Sequence, residues 1–307
     1  MPMGMVVGAL LCREIEWLDG AARHMLTPAF IFTMLFFTFC RVDARRIRLS
    51  RMHVWLLLFQ AVGCLAVYYA LAPFDGVVAQ GAMICILAPV AMAAVVIGGM
   101  LGANIETMAA YSLLCNVAVA FGAPFVLHAF GNGACTVWQI LQKVAPLLVA
   151  PFVAGQMCRT FLPRVSGWVS DHSQISFYVW LMSLTVIIGR TTCFLLDHDE
   201  ADCTVELALA GVSLIICLLQ FGIGRRIGRR YGDTVAGGQS LGQKNTVLAV
   251  WMSQSFLDPI SSVAPTAYIV WQNFVNSYQI YRKDKETMSD DLAKRSGAVD
   301  TRNLNRK

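Results

Sequence analysis

The side chains with the greatest chemical potential in this sequence lie in one short run, Gln239–Asn245, inside the hydrophobic segment 234–257. Five of the seven residues in the run are polar, namely Gln239, Ser240, Gln243, Lys244 and Asn245. A buried ammonium such as that of Lys244 costs about 2.5–3.5 kcal/mol in a bilayer, so it needs a partner, a water-filled cavity or the loss of its proton. Such a residue could hold an anion, act as a built-in cation or carry a proton.

Isolated polar side chains occur in two other apolar segments. Gln60 lies in the middle of 52–72, and Ser112 and Asn116 lie one helical turn apart within 105–128. An isolated amide in a membrane helix often joins helices by hydrogen bonds, but polar groups at that depth also mark transport pathways. The sequence leaves both interpretations open for these three residues.

Two hydrophobic segments are interrupted by helix-weakening residues. Segment 78–101 contains Pro89, Gly98 and Gly99, and segment 234–257 contains Gly237, Gly238 and Gly242. Proline removes a backbone donor and glycine lowers helix stability, so both segments are predicted to be discontinuous. Interrupted segments in matching positions of two halves are the best sequence indication of a transporter site. For 78–101 alone, close helix packing is an adequate alternative.

The composition indicates a membrane protein. Of the 307 residues, 57% are hydrophobic and 14% charged, whereas about 25% are charged in soluble domains. The histidines lie at segment ends or in loops, and no zinc spacing, phosphate-binding loop or dinucleotide motif occurs. The ten cysteines form no C-x-x-C pair. We therefore expect no enzyme, no metal and no cofactor.

Runs of about 20 apolar residues, the length that crosses a bilayer, predict the number of membrane spans. The nine candidates are 25–41, 52–72, 78–101, 105–128, 136–158, 173–192, 203–223, 234–257 and 259–281. Residues 1–12 are apolar but too short to span, and they lack the basic start and cleavage site of a signal peptide. They are interpreted as the distal half of a shortened first helix.

The basic residues predict the orientation of these spans. Five, two, four and eight Lys and Arg residues lie in 41–51, 159–170, 224–232 and 282–307, all on one side. The opposite side has Arg13, Arg23 and Arg190. The positive-inside rule then predicts an inner-membrane, multi-pass protein with a cytoplasmic C-terminus. The lipid bilayer is therefore an expected partner. No nucleic-acid partner is expected.

Two further expectations concern the ends of spans. The tail 282–307 has almost no large apolar residues and is predicted to be a disordered cytoplasmic tail. Cys193 and Cys203 bracket an acidic outer loop, where a disulfide or two free thiols can occur, the latter being favoured.

The two halves of the chain, 1–128 and 136–281, each contain five spans when the first short helix is counted. The interrupted span is the fourth in each half. Because an odd number of spans reverses the direction of insertion, the sequence predicts an all-α integral membrane protein built from inverted five-helix repeats.

Segment 237–273 resembles the last two helices of the bile acid:sodium symporter family. The matching residues are Gly242, Asn245, Leu248, Ala249, Pro265, Trp271 and Asn273. The resemblance implies ten helices, with discontinuous helices four and nine crossing at the midplane. It also implies a panel domain from 1–41 and 136–192, and a core domain from 52–128 and 203–281.

The departures from that family concern its sodium sites. Ser240 stands where the family has a sodium-binding Glu, and Lys244 where it has Gln. Residues 89–95 lack the family's polar motif, although Gln60 and Ser112 match polar positions of its sodium sites. We therefore expect that this chain binds no sodium.

The function predicted from these residues is secondary active transport of a small organic anion by alternating access, without coupling to sodium. A non-transporting receptor or scaffold on a degraded transporter fold is the alternative, and a sodium-coupled symporter is less expected. Lys244 is hypothesised to supply the positive charge that sodium supplies in relatives. It would either brace the crossing, through hydrogen bonds to Gln60, Ser240 and free backbone carbonyls, or, by releasing its proton, make protons a second transported partner.

Overall fold

A computed structural model of the chain describes residues 2–22, 25–41, 49–91, 93–131, 133, 135–197 and 203–304. Every regular element in these ranges is a helix, apart from one isolated bridge between Val90 and Lys244. This confirms the all-α class for the described part of the chain.

The helices follow one another with short connections. In the first half they are α1 (Pro2–Leu10), α2 (Cys12–Ala21), α3 (Leu26–Arg41), α4 (Arg51–Leu71), α5 (Gly76–Leu87), α6 (Ala93–Met100) and α7 (Ile105–Phe130). In the second half they are α8 (Val137–Phe161), α9 (Pro163–Asp171), α10 (Ser173–Asp197), α11 (Cys203–Arg230), α12 (Thr234–Gly242), α13 (Thr246–Phe256) and α14 (Val263–Leu304), with a 3-10 turn at Pro259–Ser262 before α14.

Several of these helices suit a membrane. Among the described residues, α4, α7, α8 and α11 are each long and apolar enough to cross one, and α2 with α3 would form a fifth span bent by 84°. The protein is therefore membrane-embedded. The nine spans stay a prediction, partly because 78–101 and 234–257 each fold as two short helices.

The N-terminal segment continues past the point where the sequence predicts its end. α1 ends at Leu10, and after Leu11 the chain resumes as a second helix, α2. The charged residues after Cys12 lie in this second helix. The side chain of Asp19 in α2 is buried and lies 3.2 Å from Arg190 of α10. This ion pair explains how a charged helix packs inside an apolar protein: its carboxylate is matched by a cation.

Two basic stretches expected to lie outside helices are helical instead. α11 continues to Arg230, through most of the predicted loop 224–232. α14 continues to Leu304, through most of the tail whose composition predicts disorder. Alternating charges explain this, since pairs such as Arg282 and Glu286, 3.0 Å apart at i and i+4, stabilise a solvated helix.

The outer acidic loop lies outside the described residues, as does the side chain of Cys203. Cys193 is a buried free thiol in α10. The predicted disulfide between the two cysteines therefore stays untested.

Helix packing falls into two sets of neighbours. In the first, α1, α2 and α3 pack against α10, and α3 also packs against α8. In the second, α11 packs against α5, α12 and α14, while α4 packs against α5. The panel and core domains of the sequence analysis stay a prediction. In the second set of contacts, α4 and α11 are neighbours of the two broken helices.

Glycines bring α11 and α12 into close contact. A Cβ atom on Gly224 would lie 3.0 Å from the carbonyl carbon of Gly237 and 3.1 Å from the Cα of Gly238. Small residues of this kind let helix backbones approach each other in membrane proteins. Gly237 and Gly238, predicted to break a helix, instead lie inside α12 and serve this contact.

We expect Gly224→Ala to lower the thermal unfolding midpoint of the detergent-solubilised protein, because overpacking costs about 1–3 kcal/mol. The matched control is Gly222→Ala on the same helix, where an added Cβ meets nothing within 4 Å. That control should keep or raise the midpoint, since alanine favours helix. Equal midpoints for the two variants would show that the glycine contact does not limit the packing.

Candidate functional site

The first broken helix ends for a local reason. Pro89 has no N–H group, and Ala88 before it takes an extended conformation with ψ of 137°. α5 therefore ends at Leu87 and the chain resumes as α6 at Ala93. The predicted break in 78–101 is confirmed at Pro89, whereas Gly98 lies inside α6.

Gly98 and its neighbour Gly99 do not break a helix; both lie within α6. An added Cβ on Gly99 would lie 3.1 Å from the side chain of Ile105, and one on Gly98 would clash with Met108. Their role is close packing of α6 on α7, the alternative that the sequence left open for this segment.

The second broken helix is interrupted at Gln243, whose backbone is extended with φ of −93° and ψ of 97°. Asn245 then starts α13, because its side-chain oxygen accepts a hydrogen bond from the N–H of Leu248 at 3.2 Å. Gly242 is the last residue of α12. The predicted discontinuity of 234–257 is thus confirmed in the middle of the polar run.

The two interruptions cross and bond to each other; we call residues 88–91 and 243–245 the crossing. The N–H of Ala91 donates to the carbonyl of Gln243 at 2.9 Å, and the N–H of Asn245 donates to the carbonyl of Pro89 at 2.8 Å. Backbone groups inside an apolar protein must find partners. At the crossing, each broken helix supplies the partners that the other has lost.

Lys244 is the charged group of the crossing. Its side chain is 1% exposed, and its Nζ donates to the carbonyls of Ile86 at 2.9 Å and Ala88 at 3.0 Å. These carbonyls belong to the C-terminal end of α5, where a helix lacks internal partners and carries partial negative charge. Among the described residues no carboxylate pairs with this ammonium. Backbone dipoles therefore hold the charge.

Gln60 of α4 completes the end of α5. Its Nε2 donates to the carbonyls of Leu87 at 2.8 Å and Ala88 at 3.0 Å. Its Oε1 accepts from the hydroxyl of Tyr111 and the thiol of Cys115, both at 3.2 Å. Gln60 and Lys244 thus share the carbonyl of Ala88, but the two side chains do not bond to each other.

A second glutamine and tyrosine lie on the other side of the crossing. Gln220 of α11 donates from Nε2 to the hydroxyl of Tyr268 at 3.0 Å and to the carbonyl of Cys85 at 3.2 Å. The hydroxyl of Tyr268 donates to the carbonyl of Gly242 at 2.9 Å, at the end of α12. Both half-helix ends are therefore closed by a glutamine and tyrosine pair.

Buried amides of α14 hold the polar run in place. The N–H of Lys244 donates to Oε1 of Gln272 at 2.9 Å. Asn276 donates to Gln243 at 2.6 Å and accepts from Gln239 at 3.0 Å. These bonds join α12 to the last helix through side chains that are all buried.

Other predicted site residues are not joined to Lys244. Asn116 donates only to the carbonyl of Ser112 at 2.7 Å, within its own helix. The hydroxyl of Ser240 is buried and has no partner among the described residues, so the expected bond to Lys244 is not made. Among the described residues no group of three His, Cys, Asp or Glu side chains could hold a metal ion.

Sequence reasoning missed four residues in this region. Gln272 and Asn276 bond to the crossing, and Gln220 and Tyr268 bond to the half-helices beside it. Gln220 is a lone amide in an apolar segment, the same signal that identified Gln60. Gln272 and Asn276 are four residues apart and so share one helix face, a spacing that the sequence shows.

No family model matches this sequence, and no curated protein matches it.

The contacts of Lys244 predict the effect of removing its charge. Lys244→Met keeps most of the side-chain volume but leaves the carbonyl of Ile86 unpaired, which costs about 1–3 kcal/mol in a buried site. We expect a lower thermal unfolding midpoint in detergent, and a smaller decrease for Lys244→Gln, whose amide still donates. The matched control is Lys143→Met in α8, since Lys143 is exposed.

A double-mutant cycle with Gln60→Leu sharpens this test. Because both side chains donate to the carbonyl of Ala88, the two substitutions should not be additive. If Lys244→Met is as stable as Lys143→Met, and the cycle shows additivity, Lys244 does not brace the crossing.

Proposed function

We propose that this protein is a secondary active transporter of a small organic anion that works by alternating access without sodium. The observation that carries the proposal is the pair of broken helices crossing inside the protein, with a buried cation where they meet. Discontinuous helices at a repeat interface are the usual site of substrate binding in secondary transporters.

An inverted repeat is supported by the position of the crossing. The two backbone bonds run from Ala91 to Gln243 and from Asn245 to Pro89, so they exchange roles about the facing pair Val90 and Lys244. Every antiparallel bridge has this local two-fold arrangement, so the support for a repeat is the position of the bridge, which joins the fourth predicted span of each half. Only one half carries a charge there, since the counterpart of Lys244 is a valine.

The glutamine and tyrosine pairs support the same repeat. Gln60 lies in the third predicted span of the first half, and Gln220 in the third of the second half. Tyr111 and Tyr268 lie in the fifth span of each half. The positions of the pairs correspond, whereas their contacts differ. Gln60 donates directly to the end of α5 and accepts from Tyr111, while Tyr268 donates to the end of α12 and accepts from Gln220.

The charge at the crossing supports an anionic substrate. The half-helices α6 and α13 begin beside Lys244, and helix N-termini carry partial positive charge. The amide of Gln239 and the hydroxyl of Ser240 each retain a buried oxygen with no partner in the described part of the chain. Movement of α12 against its neighbours would offer these groups to a polar ligand.

The resemblance to the bile acid:sodium symporter family fits this proposal, and the contacts of Lys244 suggest why sodium is not needed. An ammonium bonded to Ile86 and Ala88 supplies positive charge at the end of α5 without a bound ion. Since the ammonium donates hydrogen bonds to two carbonyls, we favour a role in bracing the crossing over a role in proton transfer.

Purified protein in proteoliposomes should take up a small organic acid, identified first by a thermal-shift screen, at the same rate in sodium and in potassium at equal ionic strength. An empty-vesicle preparation is the control. A sodium-specific increase in uptake or in thermal midpoint would show a sodium site and contradict the proposed mechanism. Binding of an acid without uptake in any salt would favour a non-transporting receptor or scaffold instead.

The proposed inner-membrane orientation, with a cytoplasmic C-terminus, predicts a labelling pattern. In a variant in which Cys135 and Cys203 are replaced by serine, Tyr231→Cys in the turn after α11 should resist a membrane-impermeant thiol reagent in intact cells. Asp199→Cys, in the acidic loop, should react. The reverse pattern would overturn the orientation, and labelling after lysis confirms that Tyr231→Cys is reactive.

A further inference from the structure

A cleft of about 380 Å³ lies far from the crossing, between the end of α11, the start of α12 and the last helix. Its lining includes four cationic side chains and one carboxylate, Arg225, Arg229, Arg282, Lys283 and Glu286. We call these residues with the start of α12 the basic cleft. None of the contacts that hold the crossing involves this group of charges.

The charges of the basic cleft are only partly balanced from within. Glu286 pairs with Arg282 at 3.0 Å, whereas Arg225 and Arg229 have no ion-pair partner among the described residues. The nearby carboxylate of Asp233 accepts from the N–H groups of Ala236 at 2.8 Å and Asn104 at 2.7 Å, and with Glu286 it offsets two of the four positive charges. An excess of positive charge therefore remains in the cleft.

The start of α12 adds backbone donors to the basic cleft. Thr234 and Val235 line it, and they are the first two residues of the helix. Their N–H groups precede the first internal hydrogen bond, which runs from Gly237 to Asp233. Arginine side chains combined with free N–H groups form the usual environment of a bound phosphate.

An apolar surface leads directly into the basic cleft along α14. Phe274, Tyr278 and Tyr281 lie on one face and are 66%, 64% and 65% exposed. Tyr278 and Arg282 also line a second, adjoining cleft of about 600 Å³ that includes Lys285. Aromatic rings next to cations, at the end of a predicted span, are typical of the interface between hydrocarbon and headgroups.

From these juxtaposed surfaces we infer that the basic cleft binds the phosphate of an anionic phospholipid, whose acyl chains lie along Phe274 and Tyr278. Such a ligand is negative at one end and apolar at the other, as the combined surface requires. A soluble phosphate compound would use the cations and leave the aromatic face uncovered. Basic pockets between the ends of membrane helices bind anionic headgroups in this way.

The test uses the full-length protein in detergent and titrates phosphatidylglycerol, phosphatidylcholine, glycerol 1-phosphate and inorganic phosphate. Native mass spectrometry counts the bound molecules and gives each Kd. The variant Arg225→Gln/Arg229→Gln removes two cleft cations. The control Arg51→Gln/Arg164→Gln removes two exposed arginines elsewhere. Size-exclusion profiles in phosphatidylcholine should be the same for both variants and the parent protein, as the check that both are folded.

Phosphatidylglycerol should bind with a stoichiometry of one and a Kd about tenfold weaker in the cleft variant than in the control. Phe274→Ala/Tyr278→Ala should weaken phosphatidylglycerol but leave glycerol 1-phosphate unchanged. Equal affinity of the cleft variant and the control would overturn the site. If inorganic phosphate binds as tightly as the lipid and the aromatic substitutions have no effect, the site is one for free phosphate and the lipid assignment is wrong.

Discussion

The backbone at the crossing is the constraint on which the rest of this structure depends. Two helices are interrupted inside an apolar protein, where unpaired N–H and C=O groups are costly. The bonds of Ala91 and Asn245 to the opposite segment satisfy one N–H and one C=O group at each interruption. The remaining carbonyls of α5 need donors from elsewhere, and Lys244 and Gln60 provide them. The helices around the crossing hold these two side chains within hydrogen-bond distance of the carbonyls of α5.

The buried ammonium of Lys244 adds a positive charge at the C-terminal end of α5. The backbone of the crossing alone could not supply such a charge. Since carbonyl dipoles hold Lys244, its charge is stabilised without a carboxylate. The protein nevertheless leaves some groups unsatisfied. The oxygens of Gln220, Gln239 and Ser240 are buried without partners in the described part of the chain. Such groups are rare in native proteins, and here two of the three, Gln239 and Ser240, lie in the polar run.

α11 links the crossing to the surface of the protein. Its middle carries Gln220, which reaches both α5 and Tyr268, and its glycines hold α12 at close range. Its basic end forms one wall of the cleft beside α14. The same helix therefore contacts both the residues beside the crossing and the basic cleft.

The sequence by itself determined the membrane class, the two interruptions and the importance of Lys244, because composition, proline and polar density act locally. Pro89 interrupts its helix whatever the tertiary structure around it. A run of polar residues in an apolar segment is visible in the sequence alone. The sequence misassigned Gly98, Gly99, Gly237 and Gly238, since a glycine inside a helix reads the same whether it breaks the helix or accepts a neighbour. Only the tertiary structure decided that Lys244 bonds to Ile86 and Ala88, 158 and 156 residues away in sequence. Those partners are backbone carbonyls, which every residue carries, and so no side-chain pattern could have identified them.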